Sequence, residues 1–206
     1  MRGMAMATVI CALAALGGCE LAALLGEGAE PALHKIDEGT KILVVVDVGD
    51  GVALPPAFST TLADQIGAHL VKENAVDVPV VPQDDLVKLQ LTNPEAYKRM
   101  GLADIAQATG ADQVLLVYIT RFDTPREESG LVARGNAVAH VKLVDKAGQR
   151  VWPGDAMGQE VTAQANETLL NEKSLEQVQK DMGAKLALRT GRMFHAYEVD
   201  SHKMDR

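Results

Sequence analysis

Asp47-Val48-Gly49-Asp50-Gly51 is the stretch of the chain whose residue types chemistry most often uses. It closes KILVVVDV (41–48), an apolar, β-branched run too short for a helix, so Asp47 and Asp50 fall where a strand ends. Carboxylates placed there hold metal ions or act as bases and nucleophiles. That makes a ligand-binding or hydrolytic loop around Asp47 and Asp50 the sharpest reading of these residues. Gly49 stands where a paired-aspartate phosphoryl-transfer site needs its second carboxylate. The ordinary reading is a strand-to-helix turn, since Asp and Gly dominate turns for conformational reasons alone.

No other catalytic set emerges. His34, His69, His140, His195 and His202 include no i, i+4 pair and no companion Cys at zinc-site spacing, so no metal is implied. There is no Gly-x-Ser-x-Gly elbow, and Gly39-Thr40-Lys41 has the wrong order for a phosphate loop, so no cofactor is implied. Asp84-Asp85 and Glu127-Glu128 are adjacent and point apart, which suits helix-start and loop charges better than an acid–base pair. The expectation is that the chain is not an enzyme.

The elements that must position Asp47 and Asp50 follow from periodicity. Phe58, Leu62, Ile66 and Leu70 recur at steps of four and predict a helix over 57–73. A short strand is expected over 76–81, closed by Pro82, then helices over 84–91 and 95–109, the second ending at Gly110. DQVLLVYITRF (112–122) is the clearest strand. A polar loop (123–130) leads to a long strand over 131–145, a turn at 146–149, a partner strand over 150–152 and a further strand over 158–165. A closing helix spans 174–197, weakened by about 1 kcal/mol at each of Gly183 and Gly191. The order, β-α-β-α-α-β-β-β-α, implies one α/β (α+β) domain over 41–197 with helices packed on a mixed sheet. Residues 198–206 read as a polar tail.

The start of the chain carries a different signal. Met1-Arg2-Gly3 precedes an apolar run that stays uncharged until Glu20, short of the roughly 20 residues a membrane-spanning helix needs but right for a secretory signal. It ends Leu16-Gly17-Gly18-Cys19, which resembles the bacterial lipobox. The resemblance implies a signal peptide over 1–18 and a Cys19 whose thiol carries diacylglycerol, with palmitate-type acyl chains as the membrane anchor. Cys11 leaves with the signal, so no disulfide is possible within the mature chain. Residues 19–40, rich in Gly and charge, read as a flexible tether. Glu20 in place of an inner-membrane-retention Asp favours the outer membrane, facing the periplasm. A net charge of −8 gains nothing from counterion release, which argues against nucleic acid as a partner.

Across the domain, KILVVVDV, HLVKENAVDVPVV, IAQATGADQVLLVYI and AHVKLVDKAGQRVWPGD, with MFHAY in the last helix, resemble the small α/β domain of bacterial envelope lipoproteins. That group includes the curli secretion lipoprotein, the lipoprotein activators of peptidoglycan synthases and the amino-terminal domain of the Tol-Pal periplasmic protein. The resemblance implies a lipid-anchored module in the cell envelope that binds another envelope protein or assists assembly. A subunit of a ring-forming secretion assembly is the alternative beside the Asp47/Asp50 ligand loop.

Overall fold

The computed structural model describes residues 29–124, 132–169 and 174–198. Cys19, with the whole signal region, and most of the polar loop at 123–130 lie outside them. The element order is β1 (Ala29–Glu30), β2 (Ile42–Val48), α1 (Phe58–Lys72), α2 (Gln83–Thr92), α3 (Pro94–Tyr97), α4 (Leu102–Thr109), β3 (Gln113–Asp123), β4 (Val132–Asp145), β5 (Arg150–Trp152), β6 (Gln159–Leu169), α5 (Leu175–Arg192) and β7 (Tyr197–Glu198).

Five strands make one mixed sheet, as the alternation of helices and hairpins implies. β2 runs parallel to β3, the helices between them serving as the crossover, and β3 pairs antiparallel with β4. β5 and β6 then share the outer side of β4, β5 at Leu143–Val144 and β6 along Val132–Val141. One sheet face is apolar along its whole length: Ile42 and Val44, Leu115, Val117 and Ile119, Ala137, Ala139, Val141 and Leu143, then Val161 and Ala163. α1 and α5 cover it with Leu62, Ile66, Leu70, Leu186 and Ala187. The opposite face has a second, smaller core of Leu43, Val45, Val114 and Leu116 under Leu86, Ile105 and Ala106 of α2 and α4.

The two helix glycines that lower α5's intrinsic propensity have a packing reason. A Cβ at Gly183 would lie 3.1 Å from the Phe58 ring and one at Gly191 3.0 Å from His69 Cβ, so α1 and α5 approach closely and run in the same direction. Both sheet edges are reached by side chains. Gln83 is buried and donates to the Val44 carbonyl at 2.8 Å. Lys185 and Arg189 of α5 donate to the Gln164 and Thr162 carbonyls at 2.8 and 2.6 Å. Such capping occupies some of the edge carbonyls through which sheets otherwise associate.

Four sequence expectations are corrected. The second half of the expected tether is folded onto the domain. Ile36 is buried, Leu33 and His34 both donate their N–H to the Met193 carbonyl, and β1 pairs with β7. Apolar burial of Ile36 and a stack of His34 on Trp152 at 5.8 Å, both beside Phe194, outweigh the Gly-rich composition. Residues 76–81 form no strand: the chain bends at Asp77 and Val78, Pro79 and Pro82 lack an N–H, and Val81 N–H to the Ile42 carbonyl is a single ladder-like bond. The expected helix over 95–109 breaks into α3 and α4 at Gly101, whose N–H is taken by the Asp104 side chain at 2.9 Å. The closing helix ends at Arg192, because Met193 and Phe194 turn inward and are buried.

Two predictions follow from this packing. Gly158 adopts φ +95°, and a Cβ there would meet the Val141 carbonyl oxygen at 2.9 Å. Gly158→Ala is expected to cost ~1–3 kcal/mol, whereas Gly154→Ala, with nothing within 4 Å of the added carbon, should stay within ~0.5 kcal/mol. Urea denaturation of the two variants side by side checks this. Burial lowers the pKa of His34, and burial with the nearby Lys72 lowers that of His69, from the ordinary 6.5. Folding therefore favours the neutral imidazoles, and their contribution is complete above pH 6.5 and lost as the pH falls through the lowered folded values. His34→Phe keeps a ring on Trp152 and is expected to reduce the loss of denaturation midpoint between neutral and mildly acidic buffer.

Candidate functional site

The second face of the sheet changes character part-way along its strands. On β2 the residues facing that side run Leu43, Val45, Asp47; on β3 they run Val114, Leu116, Tyr118; on β4, approached from its far end, they run Val144, Lys142, His140. Leu43 and Val114 are fully buried under α2 and α4, whereas Tyr118 and His140 are half-buried and Asp47 is exposed. The covering helices are short, α4 spanning eight residues, so they cover the first rows of the face and leave the later ones to solvent.

The pairing register lines up the polar residues of the uncovered part. Asp47 stands opposite Tyr118, Tyr118 opposite His140, and His140 opposite Glu160 of β6. Four strands thus contribute one residue each to a row, with neighbouring side chains about 5 Å apart at Cβ. The ends of the row are the two exposed carboxylates, Asp47 and Glu160, and its middle is the pair of half-buried rings. Val138 and Thr162, themselves register partners, flank the row on one side, and Lys142 on the other.

Local structure holds the row in place. Asp47 Oδ1 accepts the N–H of Val48 at 2.8 Å, which fixes the carboxylate against its own strand. The next N–H, from Gly49, donates to the Ile119 carbonyl at 2.8 Å, so β2 remains tied to β3 as the turn begins. A Cβ on Gly49 would lie 3.2 Å from the Tyr118 hydroxyl, and this is the structural reason for glycine in Asp47-Val48-Gly49: it leaves room for the ring. His140 Nδ1 is buried with no hydrogen-bond partner among the described residues. The register shift between Ile119 and Arg121 ends the regular part of the face, and Arg121 turns to Asp123 at 3.7 Å.

Asp47 and Asp50 therefore separate. Asp47 belongs to the sheet face, while Asp50 sits exposed in the following turn, and no hydrogen bond or ion pair joins the two among the described residues. Two cavities lined by described residues lie away from both. One of about 740 Å³ runs between α1 and residues 76–83, and one of about 430 Å³ lies between the first turns of α1 and α5, bordered by Phe58, Gln65 and Lys180. Among the described residues, no group of three His, Cys, Asp or Glu side chains is placed to hold a metal ion.

Sequence reasoning found Asp47 but missed Tyr118, His140 and Glu160. Their signal was the alternation itself: polar residues occur at every second position late in β3 and in the middle of β4. Only the pairing register makes them neighbours.

No family model matches the sequence, and no curated protein matches it. Several solved structures share part of its chain path. Lipoprotein GNA1162 from Neisseria meningitidis is 18% identical, with a TM-score of 0.45, over 68% of this chain and 90% of that one. The PelC dodecamer from Paraburkholderia phytofirmans is 11% identical, with a TM-score of 0.47, over 81% and 95%. A minor lipoprotein from Acinetobacter baumannii is 9% identical, with a TM-score of 0.40, over 77% and 92%. Two of these three are bacterial lipoproteins, a coarser likeness than the resemblance to the curli and Tol-Pal groups.

Proposed function

We propose that the protein is a bacterial envelope lipoprotein, anchored through Cys19 in the outer membrane and facing the periplasm, whose domain binds another envelope protein and has no chemistry of its own. The observation that carries the address is Leu16-Gly17-Gly18-Cys19 at the end of a short, positively started apolar run. The anchor rests on acyl chains, each buried CH₂ contributing roughly 0.8 kcal/mol, and among the described residues no helix is long and apolar enough to cross a membrane.

The binding role is supported by the form of the candidate site. Small-molecule sites are concave and enclose most of their ligand. The row from Asp47 to Glu160 is laid along a sheet face, its ends exposed and its middle half-buried. A surface of that kind, on a rigid sheet, is suited to contact with a macromolecule.

The test is the intact mass of the protein purified from its native membrane, beside that of Cys19→Ala. A mature chain that begins at Cys19 and carries diacylglycerol and acyl chains is expected, with the variant left unprocessed or released from the membrane. An unmodified full-length chain in the membrane fraction would sink the anchor reading.

A further inference from the structure

The composition of the row allows its partner to be described more closely. We propose that the Asp47–Tyr118–His140–Glu160 row recognises basic side chains, Arg above all, on a polypeptide partner. This rests on the protein-binding reading above and deepens it. Tyr118 and His140 are register neighbours, two half-buried rings that make no ring-to-ring contact with each other, and one exposed carboxylate stands next to each along the row. A guanidinium is planar, weakly hydrated and stacks on aromatic faces while its edge donates to a carboxylate. Asp47 beside Tyr118 and Glu160 beside His140 offer that combination twice.

The two carboxylates are available for it. Some acidic groups elsewhere are taken up by local cations, Asp85 by Lys88, Glu95 by Lys98, Asp112 by Lys146, Asp123 by Arg121 and Glu176 by Lys180, while others, such as Asp50 and Asp84, have no ion pair among the described residues and no aromatic neighbour in register. Neither Asp47 nor Glu160 has an ion-pair partner among the described residues, and Asp47 is held in position by the N–H of Val48. Three cations stand near the row, Lys142 one row back on β4, Arg121 opposite Val138 and Arg189 on Thr162, and no ion pair joins any of them to Asp47 or Glu160. A net charge of −8 steers a basic partner toward the domain from a distance.

Spacing sharpens the inference. Asp47 and Glu160 are separated by three inter-strand steps, about 14 Å. In an extended chain, residues four positions apart are about 13 Å apart. Two basic residues in an i, i+4 relation on an extended segment lying across the strands would meet both carboxylates at once.

The experiment uses the full lipidated chain in phosphatidylcholine vesicles and two pentapeptides, one with Arg at both ends and serines between, the other with citrulline in place of both arginines. The Arg peptide is expected to bind at least about tenfold more tightly than its citrulline match, and to lose about tenfold or more when Asp47→Asn and Glu160→Gln are combined. Affinity should persist in Asp47→Glu with Glu160→Asp, which keeps the charges, and in Asp84→Asn with Asp85→Asn, which removes charge elsewhere. Equal binding of the two peptides, undiminished binding to the neutralised chain, or no binding would overturn the inference.

A photo-crosslinking residue placed at Thr162, beside the row, and others on the outer faces of α1 and α2 separate this from the wider reading in cells. Protein adducts from Thr162 that vanish on neutralisation support the inference. Adducts that survive neutralisation, or that arise only from the other positions, remove it and leave the protein-binding function standing. A chain that gives no adduct from any position loses both.

Discussion

The rest of the structure depends on a shortage of cover. The sheet has two faces, and one of them is fully apolar, so α1 and α5 must lie along its whole length; their approach is close enough that Gly183 and Gly191 are needed where they touch. What remains to cover the other face is α2, α3 and α4, of which α4 has eight residues and α3 four. Each strand answers this limit in its own sequence. The residues under the short helices are Leu and Val, and those beyond them are Asp, Tyr and His. The candidate site is therefore a by-product of where hydrophobic cover runs out, and its position on the sheet is fixed by helix length.

This explains which parts were legible from the chain alone. The run KILVVVDV and the period of four through Leu62, Ile66 and Leu70 encode β2 and α1 locally, because burial there repeats with the geometry of the element itself. Pairing register is encoded by contacts between residues far apart in sequence, so Tyr118, His140 and Glu160 could not be recognised as neighbours from spacing. The reading of Asp47 and Asp50 as one loop joins two settings that spacing alone does not tell apart. They stand three positions apart, but β2 ends between them, so the sheet holds Asp47 while Asp50 sits in the turn. The second half of the tether was misread because composition outweighed two apolar contacts, Ile36 in the core and His34 on Trp152.

The edges show the same economy. A sheet with two open sides invites association through its strands, and here long polar side chains occupy carbonyl oxygens on each side: Gln83 at β2, Lys185 and Arg189 at β6. Lys185 and Arg189 lie one helical turn apart, so a single helix face both reaches the edge and packs its apolar neighbours Leu186 and Ala187 into the core. Contact with another protein is thereby directed away from backbone pairing and toward side-chain recognition on the open face.

The pairing of Ala29–Glu30 with Tyr197–Glu198 has a mechanical meaning. Under the proposed anchoring at Cys19, the sequence between that residue and Ala29 is about ten residues, a length of chain that reaches at most about 35 Å. After β1 the chain is tied down again just before β2, where Gly39 N–H donates to Asp77 and Lys41 N–H to Asp112. Any pull from the membrane is thus taken up first by a two-residue ladder and the Ile36 plug, which would peel in sequence before the sheet felt the force. Asp47 and its row lie at the far end of β2, roughly 20 Å beyond that attachment. A load taken up at β1 and Ile36 would leave the geometry of the row undisturbed.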